Sequence, residues 1–383
     1  MHEHNDLIQL LDEHQYQPKT RVVFEPGAVA SIGMLTEPLG RNCLLVTDKG
    51  VHAAGHVDRA VASLEAAGVR VTIFDAVHEN PTTADVDACV KVASDVHIDI
   101  LIGLGGGSSM DTAKGCNFVL TNGGKMQDYW GIGKATKPML PLIAVPTTAG
   151  TGSEMQSFAL IADENTHQKM ACGDPKAAAV IALLDPQLTV TQPTNVTACT
   201  GIDAIAHAIE SGVCNKRNKL SAALSKLAFD LTFDHLAKAI ASPDDITARG
   251  KMLLGAAAAG HAIENSMLGA AHSGANPLTA HLGITHGHAV GLMLPHVIRF
   301  NAEDSQTNDH YKAITNRDAQ QLAADIESLL DQINMKRSLQ VDGEKDSLIA
   351  SLAAEAAKQW TANFNPRPIA QDDFARIYQQ ILN

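Results

Sequence analysis

The sequence has no paired cysteines. Its six, Cys43, Cys89, Cys116, Cys172, Cys199 and Cys214, never form a C-x-x-C motif. Their scatter matches neither a zinc knuckle nor a disulfide framework, so they read as small hydrophobes of a reducing compartment. Basic residues are in deficit: 29 Lys and Arg stand against 42 Asp and Glu, a net charge of −13. That argues against nucleic acid and anionic membrane surfaces as partners, because both need basic patches. An anionic substrate stays open, since a binding site is local. No stretch approaches the ~20 uninterrupted apolar residues of a membrane span. The opening residues, "MHEHNDLIQLLDEHQ", hold no apolar signal core. A cytoplasmic location is expected. No internal repeat or low-complexity tract is visible.

A chain of 383 residues exceeds the ~250–300 that one core usually spans, so two domains are expected. The first half alternates. Short apolar runs in "RNCLLVTDKG", "VRVTIFDAV", "IDILIGLGGG" and "PMLPLIAVPT" read as strands. Between them, "AAGHVDRAVASLEAAG", "TTADVDACVKVASDV" and "SSMDTAKGCNFVL" carry helical spacing. That alternation predicts β-α-β units and a parallel sheet. After "ALLDPQLTVTQPTNVT" the strand-like runs stop and Ala- and Leu-rich helical patterns follow. The expected organisation is an α/β domain at about 1–187 and an all-helical domain at about 188–383, with Pro186 and Pro193 at the joint.

Two small-residue loops stand out in the first half. Gly105, Gly106 and Gly107 sit where a strand becomes a helix; lacking a Cβ, they let backbone N–H groups approach an anion. Ser108, with Asp111 three residues on, looks like a helix N-cap, and a helix N-terminus favours phosphate. The G-x-G-x-x-G pattern is absent, and a tight turn without a ligand would read the same from this stretch alone. The second loop, "PTTAGTGSE", follows the next strand and holds Thr147, Thr148 and Ser153. Loops at the carboxyl ends of neighbouring parallel strands share one crevice, and two such loops suit a dinucleotide diphosphate. Asp48 ends the first of these strands; a carboxylate there accepts from a ribose hydroxyl and repels a 2′-phosphate, favouring NAD over NADP. A plain turn aspartate is the alternative.

Six of the 17 histidines lie between residues 261 and 296: His261, His272, His281, His286, His288 and His296. Upstream, "TGIDAIAHAIESG" puts Asp203 and His207 at i and i+4, on one helix face. That spacing lets a carboxylate oxygen and an imidazole nitrogen converge on one ion, although surface pairs share it. His272 and His286 would stand ~21 Å apart on one unbroken helix, too far for one metal. Pro277, with Asn276 before it, supplies a predicted break, and Gly283 adds another. His281 and His288 have weaker claims.

Taken in order, "GGGSSMDTAK", "PTTAGTGSE", "GIDAIAHAIE", a pair of histidines spaced as H-x13-HG and the late "NPR" at Asn365 to Arg367 resemble the iron-containing alcohol dehydrogenase family, group III. The match runs from about Arg21 to the C-terminus. The resemblance implies a Rossmann-like parallel-sheet domain that binds NAD(P) and an all-α C-terminal domain with a divalent ion, usually Fe²⁺ and sometimes Zn²⁺, in the dehydroquinate synthase-like fold. It makes Asp203, His207, His272 and His286 the metal ligands. It places Gly105, Gly106, Gly107 and Ser108 at the pyrophosphate, with Asp111 in the same segment. Thr147, Thr148 and Ser153 fall in the second cofactor loop, Asp48 near the adenosine ribose, and Asn80 of "ENPT" near the cofactor.

The implied reaction is hydride transfer between a small alcohol, diol or hydroxy acid and NAD(H), in a homo-oligomer of even number. Ile263 and the Trp360–Thr361 region fall at pocket positions of the family. One departure matters. Many members carry a histidine four residues after the third ligand, and here that residue is Asn276, which cannot exchange a proton at neutral pH. His281 is the candidate replacement as proton relay. The rival readings on this fold are a glycerol-dehydrogenase-like zinc enzyme, a metal-free keto-acid reductase and a dehydroquinate-synthase-like lyase. Four filled ligand positions argue against the second. The want of a Lys/Arg cluster near the histidines argues against the third.

Overall fold

The structure is a computed structural model that describes residues 2–166, 168–341 and 343–383. Its strands are β1 (Arg21–Phe24), β2 (Asn42–Val46), β3 (Arg70–Phe74), β4 (Ile100–Gly105), β5 (Gly131–Ile132), β6 (Leu142–Pro146), β7 (Phe158–Ala162), β8 (Lys169–Gly173) and β9 (Ile181–Leu184). The α-helices up to residue 122 are α1 (His2–Glu13), α2 (Ile32–Thr36), α3 (Lys49–Ala53), α4 (His56–Ala66), α5 (Thr83–Ser94) and α6 (Gly107–Asn122).

Six strands form one sheet in the order β1-β9-β6-β4-β2-β3, and every pairing in it is parallel. The inner strands β2, β4, β6 and β9 are nearly continuous apolar runs because both faces are covered, while the edge strands β1 and β3 are partly exposed. On one face Leu45, Ile102, Leu104 and Val145 pack with Val57, Ala60 and Leu64 of α4. On the other, Leu44, Val46, Leu101 and Ala144 pack with Cys89 of α5 and with Met110, Ala113 and Cys116 of α6. Strand order reverses at β2: β3 lies on one side of it and β4 on the other. A crevice at the carboxyl ends of β2 and β4 is therefore the binding position of such a sheet. A second sheet, in the order β5-β8-β7, pairs β7 with β8 antiparallel. The sequence reading did not anticipate it.

The remaining helices are α7 (Thr194–Val213), α8 (Lys219–Phe233), α9 (Leu236–Ala241), α10 (Ile246–Glu264), α11 (Ala270–Leu282), α12 (His286–Asn301), α13 (Ser305–Thr315), α14 (Ala319–Gln332), α15 (Lys345–Ala356) and α16 (Gln371–Ile381). Helix α7 is buried continuously from Gly201 to Val213, with α8, α10 and α12 packed around it. That burial explains its run of Ala and Ile, and its buried polar side chains find partners, as Ser211 does in the His207 carbonyl and Ser225.

The chain divides into one compact unit of Gln17–Gln192 and another of His2–Tyr16 with Pro193–Asn383. Two details differ from the sequence-based boundary at 187. The 3₁₀ turn Pro186–Thr189 stays with the sheet, because Leu188 sits in its core. Helix α1 belongs to the helical unit, where it packs on α8 and α10, burying Leu7 and Leu11. No helix among the described residues is long and apolar enough to cross a membrane.

Candidate cofactor crevice and metal centre

In the α/β unit, β4 runs straight into α6, whose N-cap is Gly106. The N–H groups of Gly107 and Ser108 fall in the first turn, which no carbonyl of the helix can reach. Gly105 has φ +152, and a Cβ there would stand 2.3 Å from Ser109 Oγ and 3.4 Å from Asp48 Oδ2. Only glycine fits that backbone and that space. Asp48 caps α3: its Oδ1 accepts from Gly50 N–H at 2.8 Å and Val51 N–H at 3.0 Å. The other oxygen, Oδ2, is the one beside Gly105. Thr148 lies against Gly106 and Thr151 against Gly107. Thr47 Oγ1 and Ser109 Oγ are buried without a hydrogen-bond partner among the described residues. Exposed N–H groups at a helix N-terminus, a cleared backbone and orphaned hydroxyls together fit a diphosphate.

In the helical unit, α7 carries Asp203, His207 and Glu210 at i, i+4 and i+7 on one face. His272 opens α11 and His286 opens α12. Three imidazoles converge on one carboxylate oxygen, Asp203 Oδ1: His272 Nε2 at 3.2 Å, His207 Nε2 at 3.5 Å and His286 Nε2 at 3.9 Å. The ligand atoms of Asp203, His207 and His272 all lie within 4.8 Å of one another, and those three residues are buried. The His207 and His272 rings stack at 4.7 Å. Burial alone would raise the Asp203 carboxyl, but His207, His272 and His286 hold it well below the usual carboxylate range. Burial works to lower His272, yet the Glu210 and Asp203 carboxylates carry it up to about 9. One carboxylate oxygen and three imidazole nitrogens suit a divalent ion such as Fe²⁺ or Zn²⁺.

Residues 18–186 match the family model for iron-containing alcohol dehydrogenase, and residues 197–382 match that for the Fe-containing alcohol dehydrogenase family, C-terminal. The chain belongs to the iron-containing alcohol dehydrogenase family. Alcohol dehydrogenase 4 of Schizosaccharomyces pombe is 32% identical over 367 residues, covering 94% of this chain and 87% of the relative. The NAD-dependent methanol dehydrogenase of Bacillus methanolicus is 32% identical over 367 residues, covering 93% and 96%. The crystal structure of a 1,3-propanediol oxidoreductase matches with a TM-score of 0.90 at 31% identity, covering 94% of this chain and 97% of that one. This iron-containing alcohol dehydrogenase is therefore an oxidoreductase that interconverts alcohols and aldehydes with a nicotinamide cofactor and a metal.

Several expectations need correction. Pro277 does not break the chain: α11 runs through it to Leu282, and the turn falls at Gly283, with φ +64. A proline forfeits one helical hydrogen bond, and the packing of α11 on α12 and α15 holds the helix across the gap. His281 lies on the exposed last turn of α11, where Nε2 is 2.8 Å from Glu355 Oε1. Nine residues of helix past His272 carry it about 13 Å along the axis, away from the Asp203 cluster. His288 pairs with the Lys336 carbonyl, and His261 packs against Tyr16. Asn276, in the family's histidine position, donates to Gln359 Oε1 at 3.1 Å.

In the crevice, Ser108 and Asp111 do not form the expected cap. Asp111 is buried and accepts from Ser153 Oγ at 2.7 Å and Leu160 N–H at 3.3 Å. Lys114, fully buried, donates to Ser153 Oγ and to the Ser153 and Phe158 carbonyls. Ser153 and Asp111 thus brace the second loop from behind, their polar atoms committed to the interior. Thr147 is buried at the end of β6, and Asn80 is exposed with φ +54. The residue that sequence reasoning missed is Glu210. Its signal was available, since it continues the face of Asp203 and His207 by one further turn.

Proposed function

We propose that this chain is an NAD-linked dehydrogenase of small alcohols, diols or hydroxy acids, reducing the matching aldehydes in reverse, with a divalent ion held by Asp203, His207, His272 and His286. The observation that carries the reading is the convergence of three Nε2 atoms on Asp203 Oδ1, between 3.2 and 3.9 Å. The family name supports iron; the donor set also accommodates zinc. When bound, the ion supplies Lewis acidity at the substrate oxygen, and the nicotinamide ring supplies the hydride acceptor or donor.

The chain's own residues do the rest. Asp203 brings the single negative charge that a dication needs in this buried place. The first-turn N–H groups of Gly107 and Ser108 bind the cofactor diphosphate. Gly105 and Gly106 give it room, and Thr147 and Thr148 border it. Asp48 Oδ2 accepts from an adenosine ribose hydroxyl, and its charge rejects a 2′-phosphate, which supports NAD over NADP. Asn276 is engaged with Gln359 and His281 with Glu355, which leaves solvent or the cofactor ribose hydroxyl, and not an imidazole relay, to carry the alcohol proton. Relatives named for methanol and 1,3-propanediol support a small aliphatic substrate. Free cysteines at all six positions support a reducing, cytoplasmic setting, and an even-numbered homo-oligomer is part of the same reading.

The test is an NADH-linked screen of alcohols, diols, hydroxy acids and aldehydes on protein loaded anaerobically with Fe²⁺ or Zn²⁺. His207→Ala is expected to lose both metal and turnover. A His207→Ala protein with full metal content and full activity would refute the ligand assignment.

A further inference from the structure

Glu210 is buried at 4% exposure, and neither of its oxygens is idle. Oε2 lies 2.5 Å from His272 Nδ1. Oε1 accepts from the Ala271 backbone N–H at 2.7 Å. The preceding N–H, of Ala270, donates to Asn365 Oδ1 at 3.2 Å. Asn365 is itself held by Asn301, through a 2.6 Å bond to Asn301 Oδ1. The backbone comes in close at this point: a Cβ on Gly269 would stand 2.9 Å from Asn365 Oδ1 and 3.1 Å from Glu210 Oε1.

We infer that Glu210 is the positioning residue of the metal centre, fixing both the tautomer of His272 and the place of the turn that carries it. The inference rests on His272 being a ligand, as proposed above. A carboxylate can only accept, so Glu210 keeps a proton on His272 Nδ1, and a bound cation would replace the proton at Nε2, the nitrogen that faces Asp203 Oδ1 at 3.2 Å. Helix α11 begins with N–H groups that lack intrahelical partners, and Gly269, its N-cap, offers no side chain to bond them. Glu210 and Asn365 take two of them. The ligand and its helix end are thereby tied to α7, which also carries Asp203 and His207. The late "NPR" segment finds its use here: Asn365 is the second anchor of α11.

Two donors, Ala271 N–H and His272 Nδ1–H, need two acceptors. A glutamine of the same shape has one. In Glu210→Gln, either the amide nitrogen faces the Ala271 N–H or it donates to His272 Nδ1 and drives the proton onto Nε2, where the metal must bind. Affinity for Zn²⁺ and Co²⁺, measured by chelator competition, is expected to fall about 10- to 100-fold, and the visible absorption of the Co²⁺ protein to change. Wild-type affinity with an unchanged Co²⁺ spectrum overturns the inference. His207→Ala runs in parallel: if it keeps full metal, the ligand set itself is wrong, whereas loss in His207→Ala with none in Glu210→Gln sinks only the role of Glu210. Should Glu210→Gln fail to fold, zinc-loaded wild type with ¹⁵N at histidine Nδ1 decides. A downfield, exchange-protected Nδ1–H that disappears in His272→Gln supports the inference, and its absence overturns it.

Discussion

The backbone carbonyl of Cys199 faces Gly287 at a range that admits no side chain: a Cβ on Gly287 would stand 1.9 Å from that oxygen. Cys199 lies one turn before Asp203 on α7, and Gly287 follows His286, a proposed ligand. This contact lets the first turn of α12 settle onto α7, within reach of Asp203. Gly287→Ala must push the two backbones roughly 1 Å apart, since neither side is a flexible side chain. A loss of about 2–3 kcal/mol in stability is expected, with weaker metal binding. Urea denaturation and a metal titration measure both, and wild-type values for the alanine variant would show that the approach is not needed.

The four proposed ligands are not equivalent. Asp203 is the common point of the three imidazoles, and the His286 side chain is the most open of the set at 28% exposure. Asp203→Asn should abolish Fe²⁺ and Zn²⁺ retention through gel filtration. His286→Ala should keep measurable binding, weaker by about 100-fold, because three ligands remain. The reverse order would contradict the geometry.

Metal and fold are linked. Ion bound to the native state at ~100 times its Kd adds about 2.7 kcal/mol of apparent stability. Chelator-treated protein should therefore melt several degrees lower, and Fe²⁺ or Zn²⁺ should restore the loss. In His207→Ala the two melting curves should coincide.

Cofactor choice hinges on a charge that can be removed without losing the helix cap. Asp48→Asn keeps Oδ1 as acceptor for Gly50 and Val51. Its ratio of kcat/KM for NADP⁺ over NAD⁺ should rise about tenfold or more, since a like charge no longer opposes the 2′-phosphate. An unchanged ratio would remove Asp48 from the ribose.

His261 carries an acid liability. Burial lowers its imidazole to about 4, and the unfolded chain titrates at ~6.5. The folded value is depressed, so the fold favours the neutral ring. Between pH about 6.5 and 4 the unfolded chain takes up a proton that the native state refuses, and stability falls as pH falls, by up to about 3 kcal/mol. His261→Gln should flatten the stability–pH curve across that window. A curve parallel to that of wild type would rule out His261 as the cause.

Legibility in the sequence followed the physics of each feature. Strands β2, β3, β4 and β6 could be read from their apolar runs, as in "ILIGLG", whereas the four-residue β1 and β9 were too short to stand out. Of the smaller sheet, β7 is itself an unbroken apolar run, "FALIA", that went unread, while β8, "KMACG", is mixed and leaves no such run. Asp203 and His207 were legible from helical periodicity, while their meeting with His272 and His286 was legible only through family resemblance. Pro277 misled because a proline's missing bond is local information, whereas the packing that tolerates it is tertiary. Asp111 and Ser153 were read as cofactor contacts from their motifs. The buried Lys114, which engages Ser153 and lies near Asp111, sits in the same quoted helix, but spacing alone could not show it pointing inward. Glu210 was overlooked because a glutamate at the end of a motif looks like a solvated helix end until the far nitrogen of a ligand is asked for its partner.

Helix α1 closes onto α8 and α10, which begin at Lys219 and Ile246. More than two hundred residues separate it from those partners in order of synthesis. At ~5–20 residues per second, the nascent chain carries Leu7 and Leu11 uncovered for roughly ten seconds or more while the sheet is already assembling. A segment made before the sheet is thus among the last to find its place, and folding of the helical unit must wait for α8 and α10.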